Sequence, residues 1–104
     1  MMQNDNMLVA RSIRFEIATG KSNDFHTLFQ NEVLPILRKQ DGFKDELLLT
    51  NGDHVVAISL WTNADSAKKY ETTTYSAVEK KLRPIMTGSP TIETYKYNSL
   101  LPVS

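Results

Sequence analysis

Between His54 and Trp61 the chain reads His-Val-Val-Ala-Ile-Ser-Leu-Trp, apolar at odd and even positions alike. Side chains alternate along a strand, so Val56, Ile58 and Leu60 point one way while Val55, Ala57, Ser59 and Trp61 point the other. Both faces of such a strand need covering. A chain of 104 residues can lay helices over one face only, so the second face predicts a further layer, most simply a second copy of the chain. The same alternation over Met7 to Ala18 predicts a first strand with Val9, Ile13, Phe15 and Ile17 on one face and Arg11 interrupting it. Thr19-Gly20-Lys21 turns the chain. Ser22 or Asn23 then caps a helix whose apolar stripe is Phe25, Leu28, Phe29, Val33 and Ile36. Pro35 falls inside that helix and predicts a bend, because its ring clashes with the carbonyl of Asn31 and it lacks an N–H. Gly42 ends the helix as a left-handed cap.

Phe43 to Thr50 and Asp53 to Trp61 read as two strands joined at Asn51-Gly52, a strong hairpin signal. Asn63 or Asp65 starts a short helix through Tyr70, which Thr72-Thr73-Thr74 weakens. A second helical stretch carries Tyr75, Val78, Leu82 and Ile85, and Pro84, Gly88 and Pro90 close it. Thr91 to Tyr97 alternates as the last strand. The order is a split βαββαβ unit, an α+β ferredoxin-like fold with an antiparallel four-stranded sheet and helices on one side. Residues 1–6 form a polar, frayed arm before a single domain over 7–97. The tail 98–104 carries Leu100, Leu101 and Val103, too apolar for a free end.

Charge and composition narrow the function. Twelve basic and twelve acidic residues cancel, and no Lys/Arg block is interleaved with aromatics, which argues against nucleic acid and anionic membrane as partners. The absence of cysteine removes disulfides, thiolate catalysis, zinc–cysteine sites and iron–sulfur clusters. Two histidines, His26 and His54, do not build a multi-histidine metal site. No glycine-rich phosphate loop points to a bound flavin. No leader pattern or membrane-length apolar run is present, so a cytoplasmic location is expected.

Gly20-Lys21, the long helix, Gly42-Phe43, and Leu60-Trp61 with Ala67 and Tyr70 downstream together resemble the antibiotic biosynthesis monooxygenase domain, over roughly residues 7 to 97. That resemblance implies a homodimeric α+β barrel in which two sheets pack face to face. It also implies one of several activities: cofactor-independent oxygenation of polycyclic phenols, haem degradation, or no established reaction. The haem-degrading branch uses an asparagine on the first strand, a tryptophan ending the third and a histidine on the next helix. Here only Trp61 matches: the first strand offers Ser12 and Arg14, and Tyr70 stands where the histidine would be. The oxygenase branch implies a polar cluster of asparagine, tryptophan, tyrosine and arginine around the substrate, which Trp61, Tyr70 and Arg83 partly supply.

Residue by residue, Trp61 offers either an aromatic platform for a flat ligand or simply the largest core side chain. Tyr70 shares a helical face with Ala64 and Ala67, and its hydroxyl can reach toward Trp61 as donor or general acid. Ala57 and Ser59 are small beside Trp61 and predict a pocket between sheet and helices, with Tyr75 as a further wall. His26, at the edge of the first helical stripe, is a candidate base at the rim. Glu32 lies between Leu28 and Ile36 within that stripe, so its carboxylate needs a partner or a raised pKa, and Arg11 is the natural partner. The expected function is cofactor-independent monooxygenation of a small hydrophobic or aromatic, phenolic substrate by a homodimer. A non-catalytic ligand-binding or regulatory dimer and a haem-handling protein are the alternatives.

Overall fold

β1 (Leu8–Ile17) lies at the centre of the fold, paired antiparallel to both of its neighbours. The computed structural model describes residues 8–98. The arm expected over residues 1–6 and the packing expected of the tail beyond Asn98 lie outside the described residues. β2 (Phe43–Asn51), β3 (His54–Trp61) and β4 (Met86–Tyr97) complete a four-stranded antiparallel sheet in the order β2-β3-β1-β4. The helices α1 (Ser22–Leu28), α2 (Leu34–Arg38), α3 (Ala64–Thr73) and α4 (Tyr75–Leu82) connect the strands. The split βαββαβ order read from the sequence is the order found. Among the described residues, no helix is long and apolar enough to cross a membrane.

The helices cover one face of the sheet. Val9, Ile13, Phe15 and Ile17 of β1 and Val55, Ala57 and Trp61 of β3 are buried against Phe25, Phe29, Val33, Leu37, Val78 and Leu82. Each such aliphatic or aromatic side chain stabilises the fold by about 1.5–3 kcal/mol relative to exposure. On the opposite face Val56, Ile58 and Leu60 are half-buried, while Leu47 and Leu49 of β2 are 45% and 52% exposed. Among the described residues, the two-faced strand therefore meets helices on one side and presents an uncovered apolar surface on the other.

Four local features differ from expectation. α1 begins at Ser22 with Lys21 at the N-cap and no side-chain cap. The hairpin tip is Gly52-Asp53 rather than Asn51-Gly52, since Asn51 pairs with His54; Gly52 (φ +63°) takes the left-handed first position that a primed turn requires. Phe29–Val33 forms a π-helical turn between α1 and α2. It ends two residues before Pro35, which sits in the first turn of α2, and a wide turn there accommodates the missing N–H and the ring of the proline. The turn also moves the buried stripe to Phe25, Phe29, Val33 and Leu37. Finally, β4 starts at Met86, upstream of Gly88 and Pro90. As an edge strand pairing only with β1, it tolerates a proline, and the register shifts between Arg14 and Glu16 opposite these residues.

Candidate functional site

The hairpin register builds the site. Counting back from the pair Asn51–His54 places Glu46 opposite Ser59, and Ser59 is opposite Arg11 on its other side. Directly opposed residues share a face, so Glu46, Ser59 and Arg11 form one row across β2, β3 and β1 beneath the helices. Nearer Gly42 the register shifts between Phe43 and Asp45. This bulge lets Phe43 stay on the Trp61 face although it is odd-numbered while Glu46 and Leu48 are even.

Trp61 is fully buried (0% exposed). Its indole Nε1 donates to Ser59 Oγ at 2.8 Å, and that hydroxyl donates in turn to the Arg11 carbonyl at 3.4 Å. Its ring lies 5.1 Å from that of Tyr70 at a 30° tilt and 5.6 Å from Phe43 edge-on. Asn63 caps α3 by accepting the Ser66 N–H at 2.8 Å, which sets the helix so that Ala67 and Tyr70 point at the sheet. Tyr75, first residue of α4, packs 6.3 Å from Tyr70. Burial raises the pKa of both phenols above the ordinary tyrosine value, so both are neutral hydrogen-bonding groups at physiological pH.

Arg11 is 3% exposed. Its guanidinium stacks 4.4 Å above the Tyr75 ring and 5.4 Å from that of Tyr70. Nε and Nη2 of Arg11, Oε1 of Glu46 and the Tyr75 hydroxyl are all buried without a hydrogen-bond partner among the described residues. The Glu46 carboxyl is pushed up to about 8 by burial, helped by the charge of Asp45 and opposed by that of Arg11. Arg11, Glu46 and Tyr75, which carry these four atoms, all line one small space.

Two spaces adjoin this cluster. The larger is an open groove of about 590 Å³ between the first helical segment and β2, lined by His26, Phe29, Leu34, Arg38, Phe43 and Glu46 among others. The smaller is a chamber of about 20 Å³ bounded by Arg11, Glu46, Ser59, Ala57, Tyr70 and Tyr75 with apolar core residues. Glu46 and Phe29 line both spaces and so form the partition between them.

The expected residues therefore divide. Ala57, Ser59, Tyr70 and Tyr75 come together around the chamber, with Trp61 packed behind them. The roomy pocket expected over Ala57 and Ser59 is corrected: Tyr70, Tyr75 and Arg11 fill that volume, and Ser59 serves as the partner of Trp61. His26 is exposed and reaches the groove. Glu32 does not meet Arg11; the π turn sets it on the outer flank of the helix, where its carboxylate lies 3.4 Å from Lys81 Nζ. Arg83 is exposed and pairs with Glu79 one turn before it. The sequence reading missed Glu46. Counting residues from the hairpin turn would have found it, because a one-residue change of tip alters the partner but leaves Glu46 on the Trp61 face. Among the described residues, no three His, Asp or Glu side chains gather as a metal-binding group.

A family model described as antibiotic biosynthesis monooxygenase matches residues 8–78. No curated protein sequence matches the chain. Among solved structures, SnoaB, a cofactor-independent oxygenase from Streptomyces nogalater, superposes with a TM-score of 0.76 at 20% identity, covering 93% of this chain and 99% of that one. A monooxygenase from the gene ActVA-Orf6 of Streptomyces coelicolor, in complex with nanaomycin D, gives a TM-score of 0.76 at 17% identity over 97% of this chain and 96% of its own. A protein of unknown function from Nitrosomonas europaea gives 0.77 at 14% identity over 97% of this chain and 100% of its own. At these identities the likeness is one of fold.

Proposed function

We propose, from the premise that the chain belongs to the antibiotic biosynthesis monooxygenase family, that it oxygenates a small aromatic or phenolic substrate without a metal or organic cofactor. The observation that carries this reading is Glu46, a carboxyl held at about 8 on the wall of a groove of about 590 Å³. A phenol with a pKa of ~10 gives its proton to an ordinary carboxylate of ~4.3 only with a penalty of roughly 8 kcal/mol. Against a base at about 8 the penalty falls to roughly 3 kcal/mol, and keeping about a tenth of Glu46 ionised near neutrality costs about 1.4 kcal/mol more. Burial thus makes Glu46 a useful general base at physiological pH.

Phe29, Leu34 and Phe43 give the groove apolar walls for a planar ring, while His26 and Arg38 stand at its mouth. Once ionised, the substrate is rich enough in electrons to reduce dioxygen itself. For a ring methylene activated by phenols, CH2 and O2 become C=O and water, with all four electrons coming from the substrate. The protein's share is to remove the proton, hold the ring and keep bulk water from the reacting carbon. Trp61 and Tyr70 form the rigid wall behind this site, and Ser59 and Tyr75 border the chamber beyond Glu46. We also propose that the protein acts as a homodimer joined through the sheet face that carries Leu47, Leu49, Val56, Ile58 and Leu60, where Leu47 and Leu49 stand exposed beside three half-buried aliphatic side chains.

Oxygen uptake by purified protein with anthrone-type and naphthol-type substrates, in the presence of a chelator and with a colourless protein spectrum, tests the reading. Catalysed uptake with one atom of 18O2 retained in the product is the expected result. Saturable binding with no uptake for any such compound would leave a ligand-binding protein and overturn the proposal.

A further inference from the structure

The chamber behind Glu46 poses a problem of charge. A guanidinium stays protonated at every pH the protein meets, and a buried cation with no anion is costly. Arg11 is 3% exposed, and the neighbours that the structure gives it answer only part of that cost. The rings of Tyr75 and Tyr70, at 4.4 Å and 5.4 Å, offer their π electrons to the guanidinium. They offer no acceptor to its N–H edge, and Nε and Nη2 both lack one. Glu46 is separated from Arg11 by Ser59 in the cross-sheet row, and its Oε1 is likewise unpartnered. Nε and Nη2 lie side by side on the guanidinium, the arrangement that recognises an oxygen anion. The chamber that Arg11 lines measures about 20 Å³, enough for one water-sized group and too little for a ring.

We infer that Arg11 makes this chamber a receptor for a single anionic oxygen, with the ring that bears it lying in the groove on the other side of Glu46. The inference rests on the groove being the ligand site and narrows its ligand. The favoured class is a planar aromatic whose ionisable hydroxyl projects from the ring edge, so that the oxygen passes the partition formed by Glu46 and Phe29. A methyl ether of the same ring is excluded by size and has no charge to offer. The proton leaving the hydroxyl is taken by Glu46, and the oxygen left behind turns to Arg11. Arg11 is thus a specificity-determining residue that contacts the ligand. A small free oxyanion such as formate, with one oxygen in the chamber and its remaining atoms in the groove, presents the same chemistry and is the other source of the oxygen.

β-Naphthol, whose absorption changes when it ionises, probes the receptor in the absence of oxygen, where no turnover can follow. Bound to the protein, it should ionise with a constant at least about tenfold larger than in free solution, and its methyl ether should bind at least about tenfold more weakly. The enhanced ionisation should vanish in Arg11→Gln and survive in part in Arg11→Lys. If Arg11→Gln does not fold, as judged by circular dichroism, the Arg11→Lys variant and the methyl ether carry the comparison. Formate competing with the naphthol identifies the chamber as open to free anions, whereas enhanced ionisation without competition identifies the ligand's own oxygen as the occupant. Naphthol that binds with unchanged ionisation, the same in the parent and in Arg11→Gln, sinks the receptor and leaves the groove reading intact. If naphthol does not bind, the groove reading fails, and a thermal shift with formate decides the receptor alone: stabilisation lost in Arg11→Gln supports it, and no stabilisation overturns it.

Discussion

Replacing Glu46 by Gln should flatten part of the pH dependence of stability. In the folded protein the carboxyl titrates at about 8 against an unperturbed value of 4.5. Below 4.5 it is protonated in both states and contributes no difference. Between 4.5 and 8 the unfolded chain has released the proton and the folded chain has not, so ν_N exceeds ν_U and stability falls as pH rises. Above 8 the loss is complete. At ~1.36 kcal/mol per pH unit, the displacement sets a ceiling near 5 kcal/mol. Water in the open groove beside the carboxyl screens the charge, and we expect about half of that ceiling, roughly 2–3 kcal/mol. For a domain of this size that corresponds to about 10–20 °C in Tm. Thermal melts of the parent and of Glu46→Gln at pH 5 and pH 9, at matched ionic strength and concentration, isolate the effect because every other titrating group is common to both. The parent should lose stability relative to the variant as pH rises. Parallel curves would refute the raised pKa, and a relative gain for the parent would reverse its sign.

Three further outcomes follow from the packing. Arg11→Met removes a buried, unneutralised charge while keeping most of its volume, so the ligand-free protein should melt higher than the parent; a melt lowered by several degrees would show that the guanidinium is better compensated than its contacts indicate. Ala57→Leu inserts methylenes beside a chamber of only about 20 Å³, and overpacking should cost about 1–3 kcal/mol in a denaturant titration; an unchanged midpoint would mean that a larger cavity opens there. Ile58→Asp places a charge in the centre of the uncovered sheet face, where each apolar side chain buried at a dimer interface is worth about 1.5–3 kcal/mol. Sedimentation should show the parent as a dimer and the variant as monomer or aggregate, and a parent that is monomeric at micromolar concentration would contradict the proposed interface.

Much of this architecture is legible in the chain because local rules and tertiary packing agree. Asn63 caps a helix in isolation as it does here, Gly42 takes φ +80° where a helix must stop, and alternation alone shows that β3 is apolar on both faces. The departures arise where a single residue resets a register. Pro35 is answered by a π turn, which rotates Glu32 out of the stripe and onto Lys81; an ideal helical wheel cannot anticipate that. β4 runs through Gly88 and Pro90 because an edge strand needs hydrogen bonds on one side only. The site follows the same logic. Arg11 stands out in sequence as a charge on an apolar face, yet which acid shares its cross-sheet row depends on strand order, and β1 lies beside β3 rather than beside the first helix's outer flank. Glu46 sits among leucines in Glu-Leu-Leu-Leu and is unremarkable until the hairpin sets it in a row with Ser59 and Arg11.

The central claim is that Glu46 is the base that starts a cofactor-free oxygenation. Oxygen consumption with a naphthol-type or anthrone-type substrate, measured from pH 6 to pH 10 for the parent and for Glu46→Gln, tests it most directly, and the variant corrects for ionisation of the substrate in solution. The parent rate should rise with pH and level off above an apparent pKa of about 8. The variant should run about 10²- to 10⁴-fold slower at neutral pH and lack that rise. A Glu46→Gln protein that consumes oxygen at the parent rate, with the parent's pH profile, would contradict the account.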